Sequence, residues 1–161
     1  MFEPDDLLLA LTRARVDFIV IGGVAVGVHG FVRATKDLDI VPNPAPGNLA
    51  RLARLLVDIE AQHVGVGDFA PEEFPYDPTD PAQLAEGANF RLDTAHGPLD
   101  IMQWVAGIDA DLAFNELTSQ TLAVPFRDVQ IRVCGVEHLR AMKRAASRPQ
   151  DLKDLEQLDG A

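Results

Sequence analysis

The sequence predicts an α+β (mixed α/β) chain, a small mixed β-sheet with helices packed mainly on one face. Three observations lead there. Short runs of branched apolar residues, such as Phe18-Ile19-Val20-Ile21 and Leu38-Asp39-Ile40-Val41, have strand character and are bounded by glycine or proline. Between them, apolar residues recur at helical spacing, most clearly Leu49, Leu52, Leu55, Leu56 and Ile59. The 161 residues, 47% of them hydrophobic, suit one domain over 1–161 with a real core and are too few for two ordinary ones.

Each element has its own signal. Leu7-Leu8-Leu9, Leu11 and Ala14 follow Pro4 and Asp5-Asp6, which predicts an amphipathic first helix with acids in its first turn. Residues 17–21 read as a buried strand ending at Gly22-Gly23. The short apolar stretch 24–29 predicts a helix leaning on the sheet and stopping at Gly30. Residues 36–41 form a second strand, ended by Pro42 and Pro44, and a helix over 48–59 leaves Arg51, Arg54, Asp58 and Glu60 to solvent. Residues 68–81 hold four prolines and five acids and predict a surface loop without packing logic of its own. The stretches 89–94 and 98–104 flank Ala95-His96-Gly97, the pattern of a hairpin. A short helix over 109–117 and two strands, 122–126 and 129–134, follow. Helices over 136–146 and 150–158 close the chain, broken by Ser147-Arg148-Pro149. There is no internal repeat and no linker composition.

Charge narrows the function classes. Fourteen Lys and Arg against 25 Asp and Glu give a net charge of −11, a surface that repels nucleic-acid phosphates at long range and argues against extended DNA binding. A cationic small molecule or a protein with a basic face is a better electrostatic match. The longest apolar stretch, 18–28, contains three glycines and falls short of the roughly 18–20 residues that span a bilayer, so no membrane partner is expected. Cys134 is the single cysteine and the N-terminus is acidic, so the expected location is the cytoplasm. His29, His63, His96 and His138 lack metal-ligand spacing and read as structural or exposed, and Trp104 as core or rim.

Asp37-Leu38-Asp39 is the feature that composition does not explain. Along a strand, side chains alternate, so Leu38 and Ile40 enter the core while Asp37 and Asp39 share the other face, with Cα atoms roughly 6–7 Å apart. Pro98-Leu99-Asp100-Ile101-Met102 puts a third acid in the same setting. If the two strands are neighbours, three carboxylates converge, and one or two Mg²⁺ (or Mn²⁺) ions at Asp37, Asp39 and Asp100 would relieve the repulsion. An edge-strand acid facing water is the plain alternative for Asp100. Gly22-Gly23 lies where backbone N–H groups can approach phosphate, although a glycine pair is more often only a tight packing turn. Arg33-Ala34-Thr35-Lys36 brings cations into the acidic pair, with a structural ion pair an equal alternative for Arg33 or Lys36 taken singly. Lys143 and the segment 148–154 form a second charged cluster, for which a charged helix cap with i,i+3 pairs is an equal alternative.

These motifs together resemble the nucleotidyltransferase superfamily of the DNA polymerase β type. There an apolar residue and Gly-Gly or Gly-Ser precede Asp-x-Asp, and a third acid follows on a later strand. Here Ile21-Gly22-Gly23, thirteen residues (24–36), Asp37-Leu38-Asp39-Ile40 and then Asp100 keep that order. Arg33-Ala34-Thr35 and the closing Lys143, Ser147-Arg148 and Asp151 look like the minimal bacterial branch related to abortive-infection toxins. The resemblance runs from about residue 17 to 158, with Val24 where many members carry Ser or Thr, and without the C-terminal helical domain with which larger relatives bind the acceptor.

The resemblance implies a metal-dependent transfer of a nucleoside monophosphate from an NTP to a hydroxyl on tRNA, a protein or a small molecule. It implies Asp37, Asp39 and Asp100 as catalytic and metal-binding residues, and Gly22, Gly23, Arg33, Thr35 and Lys143 as nucleotide-binding ones. It further implies a toxin–antitoxin or phage-defence setting with a cognate protein partner. The alternative is a catalytically weak, antitoxin-like binding module that keeps the fold. Asp-x-Asp also occurs in metal-dependent glycosyltransferases, but those need a longer chain and lack the early glycine turn.

Overall fold

The computed structural model describes residues 2–65, 68–109 and 111–160. Seven strands form one mixed sheet in the order β3-β4-β5-β2-β1-β7-β6: β1 (Phe18–Ile21), β2 (Leu38–Pro42), β3 (Gln62–His63), β4 (Phe90–Asp93), β5 (Leu99–Ile101), β6 (Thr121–Phe126) and β7 (Val129–Cys134). β1 runs antiparallel to β2 and parallel to β7, while β2 runs parallel to β5. The described residues also form seven α-helices: α1 (Asp5–Arg13), α2 (Gly22–Val28), α3 (Pro46–Asp58), α4 (Pro81–Leu84), α5 (Ala113–Leu117), α6 (Val136–Ala146) and α7 (Pro149–Asp159). The α+β class expected from the alternating periodicities is the class the chain adopts.

Burial explains which run became which element. All four residues of β1 are buried, as a continuous apolar run at the sheet centre requires. In β4, Phe90 and Leu92 are buried and Arg91 and Asp93 exposed, the alternation of a strand with one wet face. α1 buries Leu7, Leu8, Leu9 and Leu11 and keeps Asp5 and Asp6 in its first turn, where the helix dipole favours negative charge. Asn48, buried in the first turn of α3, accepts the Asp17 N–H (2.7 Å) and donates to the Asp17 and Asn43 carbonyls (2.9 and 2.8 Å). One amide therefore ties the entry of β1, the exit of β2 and α3 together, and satisfies backbone groups that the apolar interior would otherwise leave unpaired.

The sequence reading differs from the structure in the connecting regions. Residues 68–81 are not featureless. Pro71–Glu73 makes a 3₁₀ turn, Phe74 stacks on His63 at 4.8 Å, and Asp80 caps α4 by accepting the Ala82 N–H at 3.0 Å. Leu84 of α4 is then fully buried. The two-residue β3 carries too little pattern to be seen in advance. α5 starts at Ala113, later than 109, and Ala110 lies outside the described residues. Trp104 is an exposed rim residue. No helix among the described residues is long and apolar enough to cross a membrane.

Candidate active site

The pairing register builds the site. Ile21 faces Asp39 across β1 and β2, Asp39 faces Asp100 across β2 and β5, and Asp100 faces Arg91 across β5 and β4. Directly paired residues present their side chains on the same face, so Asp39, Asp100 and Arg91 form a row perpendicular to the strands. Asp37 joins from the residue before β2, and oxygens of Asp37, Asp39 and Asp100 all lie within 4.8 Å of one another. Their neighbours Leu38, Ile40, Leu99 and Ile101 are fully buried in the opposite layer and hold the acid row in place.

Three close carboxylates at the edge of a core are electrostatically costly, and the charges show it. Burial, then the negative charges of Asp37 and Asp100, push the Asp39 carboxyl well above the ordinary carboxylate range, with Lys143 partly opposing. Burial and Asp37 also raise Asp100, against the pull of Arg91. Asp100 is only 6% exposed, and its Oδ1 has no hydrogen-bond partner; Arg91 Nε stands 3.5 Å away, outside bonding geometry. A buried carboxyl with one oxygen that accepts no hydrogen bond and has only a long ion pair to Arg91, together with two further carboxylates, is a set of hard oxygen donors that fits Mg²⁺ or Mn²⁺.

The glycine pair serves this row by being small. Gly22 has φ +72°, and a Cβ there would lie 2.0 Å from Asp39 Oδ2. Only glycine allows both the backbone conformation and the close approach of Asp39. A Cβ on Gly23 would meet Thr35 Cγ2 at 2.6 Å and Arg33 Nη2 at 3.0 Å. Gly22, Gly23, Thr35 and the acid row thus occupy one small volume.

Cations come from a second network, between α6, α7 and the segment before β2. Asp154 accepts from Arg33 Nε and Nη2, both at 2.8 Å, and from Lys143 Nζ at 2.8 Å. Asp151 accepts from Lys143 Nζ (3.1 Å), Arg148 Nε (2.7 Å) and the Arg148 backbone N–H (3.1 Å). Asp151 and Asp154 are 1% and 2% exposed, and Lys143 6%. Burial alone would raise both carboxyls, but hydrogen bonds from Arg148 and Lys143 to Asp151, and from Arg33, Lys143 and Gln150 to Asp154, hold them below the usual range. The segment 148–154 is therefore the charged cap that sequence offered as the plain alternative, and it also fixes Arg33 and Lys143.

All eight residues singled out from sequence line cavities at this one place. A polar cavity of about 430 Å³ is lined by Gly22, Gly23, Arg33, Thr35, Asp37 and Lys143, together with Asp39 and Asp100. A second, mostly apolar cavity of about 260 Å³ meets it at Asp39 and Asp100. Arg91 and Arg148 line both; the sequence does not single out Arg91, and it marks Arg148 as part of the charged cluster and closing motif without a place in the site. Arg91 was legible as the residue opposite Asp100 once the hairpin turn at 95–96 fixes the register. For Arg148 the motif gives no position, because its place depends on how α6 and α7 fold back.

Comparison with known proteins agrees at the level of the fold. No protein-family model matches the chain, and no curated protein matches it. Among solved structures, the lincosamide antibiotic adenylyltransferase LnuA, in its lincomycin-bound crystal structure, superposes with a TM-score of 0.59 at 16% identity, covering 96% of this chain and 92% of that one. The chain has a nucleotidyltransferase fold.

Proposed function

We propose that this protein is a metal-dependent nucleotidyltransferase that moves a nucleoside monophosphate from an NTP to a hydroxyl acceptor. The observation that carries the reading is the meeting of Asp37, Asp39 and Asp100 within 4.8 Å beside Gly22, with one buried carboxylate oxygen that accepts no hydrogen bond. The fold shared with an adenylyltransferase supports it. A divalent cation at these acids supplies neutralising charge for the triphosphate and the leaving pyrophosphate.

The chain's own groups account for the remainder. Backbone N–H groups of Gly22 and Gly23 donate to the outer phosphate oxygens, and Arg33 and Lys143, fixed by Asp154, add positive charge on the same side. Thr35 closes that pocket against Gly23. Asp100 takes the proton from the attacking hydroxyl, whose oxygen bonds the α-phosphorus. The bond from that phosphorus to the bridging oxygen breaks, and the electron pair leaves with pyrophosphate. Preorganised charge is the main contribution expected from such a site.

The test is incubation with each α-labelled NTP, Mg²⁺ or Mn²⁺ and cell extract. Label should appear on an acceptor, and Asp37→Ala or Asp39→Ala should abolish it; labelling that survives in both variants overturns the mechanism. A thermal shift with Mg²⁺ and then nucleotide gives an independent reading, since ligand at about 100 times its Kd stabilises by about 2.7 kcal/mol. The finer part of this reading is the setting. The order of Arg33, Lys143, Arg148 and Asp151 supports a toxin restrained by a cognate protein. Expression of the wild type, but not of Asp39→Ala, should then arrest growth.

A further inference from the structure

We infer that the acceptor is a small amphipathic alcohol, its apolar body seated in the cavity lined by Met102, Val105, Leu139 and Met142 and its hydroxyl at Asp100. This rests on the nucleotidyl-transfer reading above and adds the substrate class.

The argument starts from the geometry of displacement at phosphorus. In an in-line transfer the attacking and leaving oxygens lie on opposite sides of the α-phosphorus. The leaving side is marked chemically: Gly23, Arg33, Thr35, Lys36 and Asp37 line the polar cavity and not the apolar one. Pyrophosphate, the most highly charged piece, belongs among those groups. Asp39 and Asp100 stand where the two cavities meet and line both. The attacking hydroxyl therefore enters from the other cavity.

That cavity differs in kind. Ile21, Met102, Val105, Leu139, Met142 and Ala146 line it and are absent from the polar one. It adds no cation beyond those already shared with the phosphate side, so it offers nothing further to the phosphates of a polynucleotide end. Two thioethers give a wall that adapts to varied apolar shapes. Its volume of about 260 Å³ is a little below the range of drug-sized ligand sites, enough for a small molecule or the functional end of a somewhat larger one. The net charge of −11 also disfavours a nucleic-acid acceptor. The acceptor that fits is apolar along one side, small, and carries a hydroxyl at one end.

The two methionines make the cavity directly observable, because the chain has only three. Protein labelled with ¹³C at the methionine methyls is saturated with Mg²⁺ and the α,β-methylene analogues of ATP, GTP, CTP and UTP in turn, then titrated with n-hexyl β-D-glucoside or methyl β-D-glucoside. The hexyl glucoside should shift the Met102 and Met142 methyls and bind at least tenfold more tightly than the methyl glucoside, with nucleotide still bound. Ala146→Trp, at the exposed C-terminal end of α6, should abolish this binding and leave nucleotide affinity within twofold. Three outcomes overturn the proposal while sparing the transferase reading. These are a shift of both methyls by nucleotide alone with exclusion of the glucoside, so that the base fills the cavity; equal binding of the two glucosides; and displacement of the hexyl glucoside by an RNA oligonucleotide with a free 3′-hydroxyl. If no analogue binds with Mg²⁺ present, the transferase reading itself falls.

Discussion

Asp39 is held in a position that costs the folded chain stability. Its carboxylate is packed against the backbone of Gly22, flanked by Asp37 and Asp100, and pushed toward its protonated form by burial and by those charges. Groups placed this way are retained for what they do rather than for the fold. Asp39→Asn keeps the shape and removes one of three like charges. It should abolish transfer yet raise the melting temperature of the metal-free protein by a few degrees, about 1 kcal/mol, measured by calorimetry without and with Mg²⁺. Added Mg²⁺ should stabilise the wild type and leave the variant unmoved. Gly22→Ala acts in the opposite sense. At φ +72°, with a Cβ 2.0 Å from Asp39 Oδ2, it should cost about 1–3 kcal/mol in denaturant unfolding and displace the carboxylate it touches.

At the scale of elements, α6 and α7 act as a clamp that carries charge. Pro149 opens α7, Ser147 turns the chain with φ +52°, and Asp151 and Asp154 on one face of α7 meet Lys143 on α6. Arg33, on the segment before β2, is drawn to Asp154. Asp154→Asn keeps the shape but leaves a buried ammonium and a guanidinium with less counter-charge, a change worth about 3 kcal/mol when a buried pair is broken. Denaturant unfolding should show that loss, together with a raised KM for the NTP as Arg33 is released. The pH dependence has a definite sign. Asp151 and Asp154 have folded-state values held below the ordinary carboxylate, so their contribution is full above about pH 4 and disappears as pH falls through those lowered values. Acid unfolding should therefore be shallower in Asp154→Asn than in the wild type, with the two curves converging at low pH.

At the scale of the whole molecule, the negative field and the local cations of the polar cavity act over different distances. A net charge of −11 is felt beyond a Debye length only at low salt, whereas Arg33, Lys143 and Arg148 act at contact. A nucleotide with its metal can be drawn in by these contacts, but a long polyanion cannot. Fluorescence anisotropy with a 30-residue RNA or DNA at 150 mM salt should show no binding tighter than about 10⁻⁴ M. Binding in the micromolar range would contradict the charge argument and reopen tRNA as acceptor.

The legible part of the site was local. Asp37 and Asp39 are two residues apart in an apolar run, Gly22-Gly23 ends a strand, and Asp100 interrupts Leu99 and Ile101; each of these is written in the alternation of neighbouring side chains. The strand and helix assignments around them follow from the same short-range periodicity, which is why β1, β2, β7, α3 and α6 stand close to where the sequence predicts them. Asp154 is visible only as a charge near a helix start, and Arg148 only as part of a charged cluster and closing motif. Asp80 with Pro81, the cap that starts α4, lies in a proline-rich stretch whose composition reads as loop. Local pattern suffices for the longer strands and helices and for the face of each that carries acid, because backbone geometry imposes those periods residue by residue; β3 and α4 are too short to show them. Long-range packing, by contrast, sets β5 beside β2 in the register pairing Asp100 with Asp39, and returns α7 to hold Arg33 and Lys143. Those contacts join residues far apart in the chain, where competing pairings are settled by the packing of the whole core and not by any local pattern.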